Sequence, residues 1–164
     1  VDFIVPKVEE GIPMTDRPKM TYSENGLALA KQFEGLRLTA YQDSGGVWTI
    51  GYGHTGSEVV CGLTWTQEQA DAQLLIDTQT AQDCVNTHVT IPLSQNQFDA
   101  LVDFTYNLGC GALRSSTLLS CVNAGRFDAA AQQFTRWVYA GGKVVGGLAK
   151  RRQAEQVLFS ELST

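Results

Sequence analysis

The 164 residues suffice for one compact domain, and 43% hydrophobic residues supply enough apolar material for a core. A net charge of −5 argues against a nucleic-acid partner, and no run of roughly 18 apolar residues is present to span a membrane. The charge is uneven. Residues 61–135 set seven acids against Arg114 and Arg126, whereas residues 136–164 set Arg136, Lys143, Lys150, Arg151 and Arg152 against Glu155 and Glu161. That basic end reads either as a solvated helix face or as a surface for an anionic polymer.

Residues 1–22 show no period and are broken by Pro6, Pro13 and Pro18, so a linker or loosely attached arm is expected there, with a domain over 23–164. Val1 stands where an initiator methionine would, which suggests an upstream segment. Ser23 is a helix N-cap with Glu24 in the first turn, and Leu27, Leu29, Ala30, Phe33 and Leu36 follow at helical spacing. Gly35 ends this helix, placing Glu34 at its C-terminus. Residues 38–43 and 47–52 read as a hairpin around Ser44-Gly45-Gly46, with a third short strand within 53–63. Thr66 and Gln69 make a capping box for one helix over 66–84, with Ala70, Leu74, Leu75 and Ala81 inside. A central helix over 94–108 buries Phe98, Leu101, Val102, Phe104 and Thr105. Shorter helices follow near 115–123 and 127–137. A last one covers 147–161 and packs through Leu148, Val157, Leu158 and Leu162. The pattern is α+β: a helix, a small sheet, then several helices.

Cys61, Cys84, Cys110 and Cys121 allow three disulfide pairings or four free thiols. If 66–84 is one helix, its length of about 27 Å separates Cys61 from Cys84 too far to bond. The cysteine spacings match no zinc pattern, so no metal is expected.

Glu34, Asp43 and Thr49 fall within sixteen residues, with eight between the acids and five between Asp43 and Thr49. A helix end feeding a hairpin can gather them. Hydrolysing a glycosidic bond takes one carboxylic acid to protonate the leaving oxygen and one carboxylate to activate water or stabilise the sugar cation. Glu34, between Phe33 and Gly35 on a helix facing the core, suits the acid. Asp43, between Gln42 and Ser44 at a turn, suits the base or stabiliser. The Thr49 hydroxyl suits a water held beside Asp43. By spacing alone, two such acids usually just face solvent.

The run from Phe33 to Gly56, FEGLRLTAYQDSGGVWTIGYGHTG, resembles the signature of phage-type lysozymes and endolysins, with that family's Glu, Asp and Thr at its intervals. Residues 100–109, 136–143 and 147–152 are similar to later stretches of the family, so the resemblance covers about 24–162. It implies a lysozyme-like fold, mostly helical. A small β-hairpin lobe and a larger helical lobe would be joined by the 66–84 helix, with the active-site cleft between them. It implies hydrolysis of the β-1,4 bond between N-acetylmuramic acid and N-acetylglucosamine in peptidoglycan, without cofactor. A monomer acting in the bacterial periplasm or wall, exported or released from the cell that makes it, is expected, with no nucleic-acid or stable membrane partner. The chain departs from the family in being acidic.

The remaining motifs have plainer readings. Gly51-Tyr-Gly-His-Thr-Gly56 spells the dinucleotide fingerprint but ends a hairpin and opens no helix. His54 and Asp77 are expected to form a structural ion pair, as an equivalent pair does in the family. Tyr106 can stack on sugar and Asn107 can bond an N-acetyl group, or both simply cap and pack. Ser116 and Thr117 line the far wall by resemblance or serve as an N-cap. Arg114, Arg136 and Lys143 suit peptide carboxylates or plain surface charge. The competing functions are a lytic transglycosylase, which needs no Asp43, and a non-catalytic wall-binding module, which would have lost an acid or base. A secreted antibacterial toxin domain is the alternative setting to a phage endolysin.

Overall fold

A computed structural model describes residues 17–162. Ser23 starts helix α1 (Glu24–Glu34): its hydroxyl accepts from Gly26 N–H, and both its N–H and its hydroxyl donate to the Asp99 carboxylate. Gly35, at φ 70°, ends the helix and turns the chain into β1 (Arg37–Gln42). Antiparallel β2 (Trp48–Gly51) and β3 (His54–Thr55) complete a sheet of order β1-β2-β3. A bulge between Arg37 and Tyr41 shifts the β1–β2 register. The other edge of β1 is closed by the backbone of Leu63 and Trp65, which exchange bonds with Ala40 and Leu38. Ala40, Ile50 and Val59 form a small apolar core beneath this sheet, with Trp48, Leu63 and Trp65 packed on it. Gly51 is needed where it stands: its φ is +65°, and a Cβ would lie 2.9 Å from the Trp65 ring. The fingerprint glycines thus serve a turn and an aromatic contact.

The linking segment corrects the expected single helix. It is two helices, α2 (Gln67–Asp77) and α3 (Gln79–His88). The capping box at Thr66 and Gln69 is present. Thr78 interrupts the run: its hydroxyl donates to Leu75 O and accepts from Gln82 Nε2, side-chain bonds that compete with the helical ladder. Leu75 is 40% exposed, not inside.

Helix α4 (Gln95–Leu108) is the hub of the larger lobe and packs against α1, α3 and the last helix of the chain. Its expected core residues Phe98, Leu101, Val102, Phe104 and Thr105 are all buried. Two short helices, α5 (Cys110–Ser115) and α6 (Thr117–Asn123), follow, then α7 (Phe127–Gln133) and one 3₁₀ turn to Arg136. A two-stranded ribbon, β4 (Tyr139–Ala140) and β5 (Lys143–Val144), leads into α8 (Gly146–Ser160). Neither α5 nor this ribbon was expected. α8 differs most from its sequence pattern. Its buried face is Arg151, Arg152, Glu155 and Phe159, while Val157 is 53% and Leu162 92% exposed. The basic end of the chain is therefore partly interior.

The arm expected over 1–22 is described from Arg17 onward. This part is tied down: Tyr22 is buried, Met20 N–H and Tyr22 N–H donate to the side chains of Asn86 and Gln82, and Gln95 donates to Thr21 O. Residues 1–16 lie outside the described residues.

Cys84 and Cys110 form a disulfide between α3 and α5, Cys61 is free and exposed, and Cys121 is free and buried. The bond spans 26 residues, which by chain entropy corresponds to about 3 kcal/mol. Reduction, or the Cys84→Ser/Cys110→Ser double variant, is expected to lower Tm by roughly 10 °C. Calorimetry with and without a phosphine reductant checks this; an unchanged Tm would show that the bond does not constrain the unfolded chain.

Candidate active site

Glu34 stands in the last turn of α1, where the helix hands over to the sheet. Its side chain is 24% exposed, and its Oε1 accepts from Arg151 Nη1 at 2.6 Å. Its Oε2 faces the loop after β2, at van der Waals distance, 4.0 Å, from where a Cβ on Gly53 would be. Arg151 also lies over the Phe33 ring, 5.8 Å from its centre.

Arg151 is itself gripped from behind. Its Nε and Nη2 donate to the two oxygens of Asp103 at 2.8 and 2.9 Å, a fork-on-fork pair inside the protein. Burial opposes the charge on Arg151, but the bonds and charge of Asp103, then Glu34, hold its pKa above the usual value. The Tyr22 hydroxyl points at Asp103 from 3.4 Å. Next along α8, Arg152 Nη2 donates to Glu155 Oε1 at 2.5 Å, and both side chains are fully buried. Burial, with the adjacent Asp103 carboxylate, pushes Glu155 well above the ordinary carboxyl range, against the pull of Arg152. The sequence reading missed this chain from Glu34 to Glu155. One signal was available: Asp103 sits among Leu101, Val102, Phe104 and Thr105, an acid inside the most apolar helix.

Asp43 follows β1 and is exposed. Its Oδ1 accepts from Gly45 and Val47 N–H at 2.8 and 2.9 Å, which fixes the carboxylate on the hairpin turn. Thr49 pairs with Tyr41 across the hairpin and is 4% exposed. The Thr49 hydroxyl donates to Val47 O at 3.0 Å. Its proton is therefore spent on the backbone, and it can take part in a water site only as an acceptor. Asp43 and Thr49 both bond to the backbone of Val47, Asp43 to its N–H and Thr49 to its C=O.

Tyr106 lies half-buried near Glu34: burial, then the Glu34 charge, pushes its phenol up to about 12. Asn107 Oδ1 is buried without a hydrogen-bond partner among the described residues. Ser116 is the α6 N-cap, accepting from Leu119 N–H and donating to Leu113 O, while Thr117 is exposed at the first position of the helix. Arg114, Arg136 and Lys143 are surface residues. A groove of about 700 Å³ between α1 and α8, lined by Leu29, Phe33, Lys150 and Val157 among others, includes none of the candidate residues.

His54 and Asp77 are paired. His54 Nδ1 lies 3.0 Å from both Asp77 oxygens and Nε2 lies 2.6 Å from Glu58, so both ring nitrogens face carboxylates. Burial disfavours the imidazolium, but the bonds to Glu58 and Asp77 outweigh it and raise the pKa above 6.5. The stabilisation is therefore complete below pH 6.5 and fades as pH rises through the folded-state value. Asp77→Asn is expected to cost roughly 2 kcal/mol at pH 5.5 and clearly less at pH 9, with turnover per folded molecule nearly unchanged. Tm and specific activity measured across pH check this. Equal stability with lost turnover would make the pair catalytic instead.

The fold is that of a lysozyme, with a helix end and a small sheet beside a helical lobe. The chain belongs to the phage lysozyme family, which it matches over residues 31–155. It is 47% identical to the endolysin of Bacillus phage B103 over 142 residues, covering 85% of this chain and 54% of that one; it thus spans about half the length of that relative. Among solved structures, the muramidase domain of SpmX from Asticaccaulis excentricus is 43% identical at a TM-score of 0.78, covering 87% of this chain and 99% of that one. A P22 lysozyme variant is 39% identical at a TM-score of 0.82, with the same coverage.

Proposed function

We propose that this chain is a peptidoglycan hydrolase that cuts the β-1,4 bond between N-acetylmuramic acid and N-acetylglucosamine. The observation that carries the reading is the unequal setting of the two acids. Glu34 is part-buried and anchored through Oε1, with Oε2 directed toward Gly53 in the loop after β2; Asp43 is exposed and held by two backbone N–H groups. Glu34 donates a proton from Oε2 to the leaving glycosidic oxygen. Asp43 activates the water or stabilises the sugar cation, and Thr49 accepts a hydrogen bond from that water. The Asn107 amide bonds an N-acetyl group, and Tyr106 and Thr117 line the sugar path.

The enzyme works as a monomer, without cofactor, in the periplasm or wall after export or release, as a phage endolysin. No helix among the described residues is long and apolar enough to cross a membrane. Mass spectrometry of digested peptidoglycan tests the chemistry: new reducing ends support hydrolysis. Anhydro-muramic ends would make it a lytic transglycosylase, and intact strands a binding module.

A further inference from the structure

Cys84 and His88 are four residues apart on α3 and so share one helix face. Cys110, the first residue of α5, meets that face. The two sulfurs and a ring nitrogen of His88 all lie within 4.8 Å of one another, a grouping of potential ligands separate from Glu34, Asp43 and the His54 pair. The end of α3 is fixed independently, since Asn123 donates to His88 O and accepts from Thr90 N–H. Neither Cys110 nor His88 is fully buried, so the cluster can be reached from solvent.

We propose that reduction of the Cys84–Cys110 disulfide converts this corner into a three-ligand zinc site. A dithiol reductant delivers two electrons and two protons to the S–S bond and leaves as its own disulfide. The resulting thiols release their protons to water as Zn²⁺ binds the two thiolates. A His88 ring nitrogen supplies the third electron pair and water the fourth. Tetrahedral zinc with Zn–S of about 2.3 Å needs its sulfurs about 3.8 Å apart. The Cα atoms are 5.9 Å apart, so rotation about the cysteine side chains supplies that distance without moving the helices. Two thiolates and an imidazole select zinc over magnesium or calcium, which take oxygen ligands. The same two sulfurs then staple α3 to α5 in either redox state: covalently when oxidised, through the metal when reduced.

The test uses the full chain carrying Cys61→Ser and Cys121→Ala, which removes the other thiols. Cobalt is titrated into the phosphine-reduced and the oxidised protein, followed by zinc competition. The expected result is one Co²⁺ per reduced chain with sulfur-to-cobalt charge-transfer and tetrahedral d–d bands, displaced by Zn²⁺, and none in the oxidised chain. Loss of an inner ligand costs more than loss of an outer-shell partner, so His88→Ala should weaken binding at least about tenfold. A second measurement does not require a stable reduced apo fold: Zn²⁺ should raise the Tm of the reduced chain, not that of the oxidised one, and His88→Ala should abolish the rise. No bands, no Tm rise, equal binding by the oxidised chain, or an indifferent His88→Ala would each overturn the proposal.

Discussion

Glu34→Gln is expected to lower the rate of peptidoglycan clearing by about 10³-fold, the range lost when a positioned general acid is removed. The substitution keeps the shape of the side chain and leaves an amide oxygen to accept from Arg151, but no acidic proton to give. Arg151 keeps both bonds to Asp103, so it does not swing into the space near Glu34. The ion pair lost is on the partly exposed side of the network, and the change in Tm should correspond to no more than about 1 kcal/mol. Turbidity loss of purified peptidoglycan gives the rate, and circular dichroism melting gives the stability. A variant that clears as fast as the wild type would remove Glu34 from the mechanism. Asp43→Asn should also fall far below wild type while melting normally, because its exposed carboxylate is held by local backbone bonds and supports nothing behind it.

The sequence is most legible where local signals agree. Ser23 and Gly35 bound α1, and Ser44-Gly45-Gly46 sets the hairpin. The apolar run from Phe98 to Thr105 marks the buried helix. These fix the positions of Glu34 and Asp43 before any packing is known. The less legible parts depend on tertiary partners. Arg151, Arg152 and Glu155 look like a solvated face in sequence, yet they are interior because Asp103 and Glu34, on two other helices, pair with Arg151, while Glu155 pairs with Arg152. The break at Thr78 rests on a side chain whose hydroxyl bonds within its own turn and to Gln82. The Cys84–Cys110 pairing depends on α5, a helix of six residues without a periodic signal. Thr49 lies on the strand its pattern predicts, but its burial and its bond to Val47 O follow from the register.

Asp103→Ala is expected to be the most destabilising single change near the site, by about 3–5 kcal/mol, because it leaves Nε and Nη2 of the buried Arg151 without their carboxylate, with Glu34 holding Nη1 alone. That corresponds to a Tm loss of roughly 10–15 °C for a chain of this size. Glu155 Oε1 lies 3.8 Å from Arg151 Nε and is the nearest substitute carboxylate, which favours the lower end of the range. Asp103 touches no substrate in this scheme; it is a positioning residue that acts through Arg151 on Glu34. The double variant Asp103→Leu/Arg151→Met separates the two roles. With neither charge left unpaired, most of the lost stability should return. Clearing should stay slow, because Glu34 then has no anchor for Oε1. Thermal melts and clearing rates on the single and double variants decide the matter. A double variant that regains stability and full activity together would reduce the Asp103–Arg151 pair to a purely structural ion pair.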